Sequence, residues 1–290
     1  MPSPNRVRTV LALVLAALLL NPAPGQAGRR ARLAPFRGLG AWVDIYDDPG
    51  WADPAGTAAA MASLGVRTLY LQTCNYRCKN AVHRENTVGA WIDAAHANGI
   101  RVVAWYLPGF DNLTRDLERS MAAINLRTAS GQRFDGFALD IEARIVTPVA
   151  KRNARMLELS RKIRAKAGRR YPLGAITPPW FYEWGGPFPY AGLAPLYDAF
   201  LPMIYFSGRT TSAHGARVHT SRNIEEIRQG TGSNKTPIHA IGGIADELNQ
   251  KESGAFVRTA LRRKAIGVSL YDYFTSGPED WGQLARASQG

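Results

Sequence analysis

The sequence predicts an α/β protein that forms a single (β/α)8 TIM barrel. Eight short segments rich in β-branched and aromatic residues recur at roughly even intervals, with helical patterns between most of them. Alternation of strands with helices indicates parallel strands joined by crossovers. Eight such units in about 260 residues match the usual size of this barrel. The sequence has no glycine-rich phosphate-binding turn after its first strand, which disfavours a doubly wound open sheet.

The predicted strands are short runs of β-forming residues, each followed by a turn or by a helical pattern. They cover residues 39–46, 66–74, 100–107, 134–142, 172–177, 199–206, 237–243 and 267–274. The predicted helices cover residues 55–64, 88–98, 113–129, 149–167, 224–229, 254–264 and 279–287. The link after the fifth strand is rich in aromatic residues and proline, so we expect only a weak helix there.

The first 27 residues are expected to be a secretory signal peptide. Arg6 and Arg8 precede an apolar run at 10–20, and small residues at 25–27 favour cleavage near Ala27. Eleven apolar residues span about 16 Å, too short for a membrane anchor, and no other stretch is apolar enough to cross a bilayer. We therefore expect a secreted chain with a basic, unpatterned N-terminal tail at 28–36 and one barrel domain at 37–290.

The composition favours a globular protein with an anionic partner. Hydrophobic residues make up 46% and charged residues 20% of the chain, which excludes a disordered chain, a collagen and a coiled coil. The net charge is +13. For an exported protein this charge points to an anionic polymer of the cell envelope. The basic segment at 151–170 is predicted to be a solvated helix face, and the alternative is a surface that binds such a polymer. No nucleic-acid-binding module is recognisable, and we expect a monomer.

Cys74 and Cys78 are the only two cysteines, and they lie four residues apart. In an oxidising compartment they can form a disulfide. A metal site would need more ligands than His83, the only other candidate nearby. The five histidines form no spaced ligand pair, so we predict neither a metal nor a cofactor.

The fourth predicted strand carries the most reactive pattern of the sequence. Because side chains alternate along a strand, Asp140 and Glu142 share one face, about 6.6 Å apart. Like charges in such a place raise one pKa, which makes one carboxyl group a usable acid near neutral pH. Glycosyl transfer needs such an acid. The alternative is a structural ion pair with a basic residue of a neighbouring strand. The only obvious candidates, Arg67 and Arg101, lie at the starts of their strands, at the opposite end of the barrel from Asp140 and Glu142.

In a barrel, substrate residues lie where the strands end. Many aromatic residues fall at these positions, and their rings can pack on the faces of sugars. The segment at 177–190 is the densest in aromatic residues, and it also holds Glu183 as a reserve carboxylate. The predicted substrate-binding residues are Asp44, Tyr46, Gln72, Trp105, Trp180, Met203 and Asp272.

The segment from Asp135 to Glu142, DGFALDIE, resembles the fourth-strand motif DGxDxDxE of family 18 glycoside hydrolases, the chitinase-like barrels. Ala138 stands where the family has an aspartate. Met203 and Tyr205 match the family's Met-x-Tyr strand. The resemblance implies that Glu142 is the general acid, that Asp140 orients the attacking N-acetyl group of the substrate, and that Tyr205 hydrogen-bonds to that group.

A second resemblance is to family 25 muramidases, which carry Asp-x-Glu at the end of strand 4 and an aspartate on strand 1 that Asp44 could match. The sequence therefore predicts a secreted glycoside hydrolase that cleaves an N-acetylhexosamine-containing polysaccharide, from a cell wall or a chitin-like material. The alternative is a catalytically inactive glycan-binding TIM barrel of the cell envelope, since Ala138 removes one carboxylate of the family 18 site.

Overall fold

Eight parallel strands form the centre of the computed structural model, which describes residues 24–180, Tyr182 and 184–286. The sheet order β6-β5-β4-β3-β2-β1-β8-β7 is that of a barrel, and isolated bridges join Phe200 to Ile238 and Met203 to Ile241 between β6 and β7. The predicted fold class is confirmed. The strands are β1 Gly38–Val43, β2 Thr68–Asn75, β3 Arg101–Leu107, β4 Gly136–Asp140, β5 Leu173–Thr177, β6 Ala199–Pro202, β7 His239–Ile244 and β8 Gly267–Tyr271.

Helices join the strands around the outside of the barrel. They are α1 Pro24–Leu33, α2 Asp48–Ala52, α3 Pro54–Ser63, α4 Glu85–Ala97, α5 Leu113–Asn125, α6 Val149–Ala167, α7 Tyr190–Leu193, α8 Ala213–Gly230, α9 Gln250–Arg262 and α10 Pro278–Leu284. Short 3-10 turns lie at Ala34–Phe36 and Ala245–Glu247. Outward-facing residues of the strands, such as Phe137 and Leu139 of β4, pack with these helices in one core.

Two helices begin well before the predicted positions, because side chains cap them. The helix predicted at 224–229 is α8, whose first turn is capped by the Ser212 hydroxyl, which accepts from the Gly215 amide at 3.0 Å. The helix predicted at 254–264 is α9, which begins after a capping box formed by Asn249 and Glu252. The weak helix expected after the fifth strand is the four-residue α7.

The interior of the barrel is filled by rings and a polar network. Trp42 stacks on Tyr70 with ring centroids 4.2 Å apart, and the Trp42 indole donates to the Ser269 hydroxyl at 2.8 Å. His239 Nδ1 lies 3.0 Å from the Phe36 carbonyl oxygen, which can only accept, so this nitrogen carries the proton. Burial lowers the pKa of His239 to about 4, so it is neutral at neutral pH. His239 is the first residue of β7, so it lies at the N-terminal ends of the strands, away from their C-terminal ends.

The segment at 28–36, predicted as an unpatterned tail, is structured. Residues up to Leu33 belong to α1, and the following turn brings Phe36, which is fully buried, into the same interior cluster as Trp42. Arg32 pairs with Asp198 at 2.7 Å, and Arg164 of α6 pairs with the other oxygen of Asp198 at 2.8 Å. This segment closes the barrel at the N-terminal ends of the strands.

The predicted disulfide between Cys74 and Cys78 is present at the end of β2. Most of the predicted signal peptide, residues 1–23, lies outside the described residues, and the predicted cleavage point near Ala27 falls within α1. Among the helices that the structure describes, none combines the length and the apolar character that crossing a membrane requires.

Candidate active site

Asp140 is the last residue of β4, and Glu142 follows two residues later. Ala138 on the same face belongs to the interior cluster, whereas Phe137, Leu139 and Ile141 pack outward against the helices. The expected alternation is therefore confirmed. Both carboxyl groups point into the C-terminal mouth of the barrel, where they line one cavity.

This cavity has a volume of about 340 Å³ and is formed by the ends of the strands and the loops that follow them. Its walls bring together residues from β2, β3, β4 and β8 and from the loops that follow β1, β4 and β6. Eight of the residues predicted for the site line it: Asp44, Tyr46, Gln72, Trp105, Asp140, Glu142, Met203 and Tyr205.

The two carboxyl groups are in an environment that favours their protonated forms. Asp140 is only 5% exposed, and burial, followed by the charge of Glu142, raises its pKa well above its usual range. Its Oδ1 atom is buried without a hydrogen-bond partner among the described residues. Burial also raises the pKa of Glu142. A carboxyl group that keeps its proton near neutral pH can donate it to a leaving oxygen.

Two tyrosines and one aspartate form the wall opposite β4. The Tyr271 hydroxyl donates to Asp44 Oδ2 at 2.7 Å, and the Tyr205 ring lies 6.2 Å from the Tyr271 ring. Burial raises the pKa of Tyr205, and the neighbouring Glu142 raises it further. Tyr205 therefore keeps its proton and can donate a hydrogen bond to a group bound in the cavity.

Contacts between the loop after β1 and the end of β2 hold the mouth of the cavity. Gln72 Oε1 accepts from the Ile45 amide at 3.1 Å, which fixes the loop after β1. The Asn75 amide donates to the Tyr46 hydroxyl at 3.2 Å. Tyr46 is 71% exposed, so its ring is available to pack against a sugar at the entrance.

Two predicted substrate-binding residues do not line the cavity. The Trp180 amide donates to Asn223 Oδ1 at 3.0 Å, and the Arg222 guanidinium lies 3.5 Å from the centre of its ring, so Trp180 packs on α8. Asp272 Oδ1 accepts from the amides of Phe274 and Thr275, and it holds the loop after β8.

The aromatic segment at 177–190 packs mainly on α6. The Trp184 indole donates to Asn153 Oδ1 at 2.8 Å, and Arg152 lies over the Trp184 ring at 4.1 Å. Tyr182 is the link to the site, because its hydroxyl donates to the Glu142 carbonyl oxygen at 3.2 Å. Phe181 and Glu183, the reserve carboxylate, lie outside the described residues.

Five lining residues were not among the predicted ones: Asn75, Tyr76, Arg77, Leu107 and Tyr271. The alternation along β8 could have found Tyr271, because Gly267 and Ser269 also face the interior and Tyr271 continues their series. The prediction placed Asp272 there instead, one residue out of phase. Arg77 lies in a loop, where no periodicity indicates which way a side chain points.

Asp44, Asp47 and Asp272 form a cluster whose carboxylate oxygens lie within 4.8 Å of one another. Burial raises the pKa of Asp47 to about 7, and the charges of Asp44 and Asp272 also raise it. The Asp44 and Asp47 oxygens accept backbone amides in the loop after β1. These contacts give the cluster a structural role beside the cavity.

Asp135, the first acid of the family 18-like motif, has a structural role. Its Oδ2 accepts from the Val102 amide at 2.8 Å and lies 2.9 Å from His96 Nε2. This contact raises the pKa of His96. Asp135 lies at the start of β4, at the opposite end of the strand from Glu142, so it joins β4 to β3 and α4.

Comparison with protein-family models and with the sequences of curated proteins gives no match. Among solved structures, the chain is similar to a chitinase from Bacteroides thetaiotaomicron, with a TM-score of 0.65 and 9% identity over 87% of this chain and 95% of that one. It is similar to an endo-beta-1,4-mannanase from Thermotoga petrophila, with a TM-score of 0.69 and 10% identity over 89% and 77% of the two chains.

A third similar structure is the spore cortex-lytic enzyme SleL from Bacillus cereus, with a TM-score of 0.64 and 9% identity over 87% of this chain and 74% of that one. All three are similar at low sequence identity, so the likeness is one of fold. The chain has the (β/α)8 barrel fold that is shared by these glycoside hydrolases.

Proposed function

We propose that this protein is a secreted glycoside hydrolase that cleaves an N-acetylhexosamine-containing polysaccharide. The observation that carries the proposal is the pair Asp140 and Glu142 on the wall of the cavity at the C-terminal end of the barrel, where Asp140 is buried and Glu142 is half-buried. Burial raises the pKa of both carboxyl groups. The similar structures named above include enzymes whose names refer to chitin and to the spore cortex, which supports a polymer of this class.

In the proposed mechanism, Glu142 donates its proton to the glycosidic oxygen as the bond between that oxygen and the anomeric carbon breaks. As in family 18, the N-acetyl carbonyl oxygen of the substrate attacks the anomeric carbon. Asp140 and Tyr205 hydrogen-bond to the N-acetyl group and hold it in line. Water then attacks the anomeric carbon as the bond between that carbon and the N-acetyl oxygen breaks, and the N-acetyl group is restored. The water passes a proton to the Glu142 carboxylate, which restores the acid.

The test of this role is Glu142→Gln, which keeps the shape of the side chain and removes its proton. We expect hydrolysis to fall by roughly 10²–10⁴-fold or more, while glycan binding remains. The assay is release of reducing ends from peptidoglycan, chitin and galactosamine polymers, together with binding to a glycan array. Glu118→Gln is the control, because Glu118 is an exposed acid of α5. Full activity in the Glu142 variant would exclude the proposed acid.

Ala138 favours the second candidate function, a glycan-binding barrel without catalysis. Its methyl group is fully buried where family 18 carries a carboxylate below Asp140. In that case the wild-type protein should bind the array and release no reducing ends. The same two measurements on the wild type therefore decide between an enzyme and a binding protein.

Ala138→Asp tests how the site works if hydrolysis is observed. A family 18-like site should accept the restored carboxylate, and the rate should stay the same or rise. A muramidase-like site should lose activity, because a third carboxyl group adds only repulsion beside Asp140 and Glu142. Thermal unfolding of the variant shows whether any loss comes from the site or from the cost of a buried acid.

We propose that the chain is exported, cleaved near Ala27 and monomeric. The basic start, the apolar run at 10–20 and the small residues before the cleavage point support export. A disulfide between Cys74 and Cys78 fits an oxidising compartment. N-terminal sequencing of the exported protein should give Gly28 as the first residue, and a retained Met1 would contradict cleavage.

A further inference from the structure

Binding of an anionic polymer was the alternative role predicted for the basic segment at 151–170, but several cations of α6 hold the fold together. Arg152 donates to the Trp184 carbonyl oxygen, and Arg155 donates to the carbonyl oxygens of Phe110 and Asp111. Arg164 donates to the Leu196 carbonyl oxygen and pairs with Asp198. These guanidinium groups are committed to the fold, which leaves another part of the surface as the better candidate.

A second basic feature is concave and lies at the opposite end of the barrel from the active site. It is a cavity of about 600 Å³ that opens beside Arg37, Pro237 and Ile266, the residues just before β1, β7 and β8. Active sites of these barrels lie at the C-terminal ends of the strands, so catalysis does not explain this cavity. We call it the floor cavity.

The lining of the floor cavity contains no acidic residue. Seven cationic side chains line it: Arg29, Arg37, Arg228, Lys235 and the three basic residues at 262–264. They come from α1, the residue before β1, α8, the loop before β7, and the end of α9 with the two residues that follow it, so several distant segments contribute charge to one place. Glu225 pairs with Arg263 at 2.6 Å from outside the lining and neutralises only one of them.

The cations of the floor cavity repel one another, and a bound anion would reduce this repulsion. Burial lowers the pKa of Arg228, and the nearby charge of Arg263 lowers it further. The Nε atom of Arg228 is buried and has no hydrogen-bond partner among the described residues. An unmet donor within a group of like charges costs free energy that a bound anion would recover.

Lys264 supplies one of these cations from a strained backbone position. It follows the end of α9 with φ +57°, and its backbone amide donates to the Leu261 carbonyl oxygen at 2.9 Å. Glycine is the usual residue at such a left-handed position, because it has no Cβ penalty. A cation there also favours the helix dipole, but Arg262 and Arg263 already supply that charge. The lysine therefore carries a backbone strain that glycine would not have.

We propose that the floor cavity binds a linear phosphodiester polymer of the cell envelope. Arginine side chains bind phosphate oxygens in bidentate geometry, and several converging cations match a chain of repeated charges. The lining has no aromatic residue on which a nucleic-acid base could stack. A concave surface also does not match the flat surface of a membrane.

The experiment measures binding of oligomeric poly(glycerol phosphate) by isothermal titration calorimetry at several salt concentrations. In the test variant, Lys235, Arg262 and Lys264 are each replaced by glutamine, and the three are exposed in the structure. We expect affinity to fall at least about tenfold, and the slope of log affinity against log salt to fall by about 2. The matched control replaces Lys151, Arg161 and Lys166, exposed cations of α6, by glutamine and should bind as the wild type does.

Equal losses in the two triple variants, or wild-type binding in the cavity variant, would overturn the proposal. Single-stranded DNA, polyglutamate and anionic vesicles serve as competing ligands, and tighter binding to any of them would also overturn it. Lys264→Gly covers the case in which the triple variant folds poorly, because it removes one charge and relieves the backbone. It should weaken binding without lowering the unfolding temperature. Failure of this proposal leaves the proposed glycosidase function untouched, since the assay involves no hydrolysis.

Discussion

At the scale of single residues, Asp140 is the clearest conflict between stability and function. Its carboxyl group is 5% exposed, and its Oδ1 atom has no hydrogen-bond partner among the described residues. A buried carboxyl group without a partner costs free energy, and ionisation of that group costs more. Asp140 is therefore explained by what the cavity does rather than by what stabilises the barrel.

Asp140→Asn should stabilise the protein as the pH rises. The folded-state pKa of Asp140 is raised above the ordinary value of 3.8, so its stability contribution is fully present below that value and is lost as pH rises toward the folded-state pKa. Asparagine does not titrate. We therefore expect the variant to match the wild type near pH 4 and to exceed it by about 1–2 kcal/mol at pH 7.

Thermal or urea unfolding at pH 4, 5.5 and 7 measures this difference. Asp246→Asn is the control, because Asp246 is an exposed aspartate, and its substitution should give no such trend. A stability difference that shrinks as pH rises would contradict the raised pKa of Asp140.

Sequence alone could place Asp140 and Glu142, because alternation along one strand fixes which side chains share a face. It could not place Trp180, whose direction depends on contacts of a loop with Asn223 and Arg222 of α8. It also placed Asp272 rather than Tyr271 in the cavity. The strand was predicted to continue to residue 274, whereas β8 ends at Tyr271, and the inward face was assigned one residue out of phase. Loop residues such as Arg77 follow no period, so only the three-dimensional packing positions them.

At the scale of elements, helix ends show where local chemistry outweighs the pattern of apolar residues. α9 begins at Gln250 because the Asn249 side chain accepts from the amides of Lys251 and Glu252. Glu252 in turn accepts from the Asn249 amide at 3.1 Å. The apolar pattern starts several residues later, at Gly254, which is why the helix was predicted too short. The spacing of asparagine and glutamate three residues apart was the available signal.

Asn249→Ala should destabilise the protein by about 1 kcal/mol, the usual cost of losing an N-cap. The loss leaves two backbone amides without their acceptor and frees the buried Glu252 side chain from its position. Urea unfolding measures the change. Asn249→Asp keeps the cap and should restore most of the stability.

Lys251→Ala serves as the control for this helix, since Lys251 is exposed in the same turn and its side chain takes no part in the capping box. It should change stability by less than about 0.5 kcal/mol. Equal effects of the Asn249 and Lys251 substitutions would show that the cap is not what begins α9.

At the scale of the whole molecule, the two ends of the barrel are built for different tasks. The C-terminal end holds an acidic cavity with Asp44, Asp140 and Glu142, whereas the N-terminal end is closed by Phe36 and bordered by the cations of the floor cavity. The motif on β4 predicted the active-site cavity at the C-terminal end. The sequence did not predict how the N-terminal end is closed, because the segment at 28–36 has no regular pattern of apolar residues and its role depends on the closed barrel.

Phe36→Ala should destabilise the whole barrel by about 3–5 kcal/mol, the range for removing a large buried ring. Phe36 is fully buried in the interior, and an added Cβ on Gly174 would lie 2.9 Å from its ring, so the strand fits closely around it. Phe36→Leu refills most of the space and should cost less than about 1.5 kcal/mol. Arg37→Ala, at the exposed next position, should have little effect.

Because Phe36 contacts the interior shared by all strands, unfolding should remain one transition at a lower urea concentration. A loss below about 1 kcal/mol in Phe36→Ala would mean that the segment at 28–36 is the loose tail that its composition first suggested.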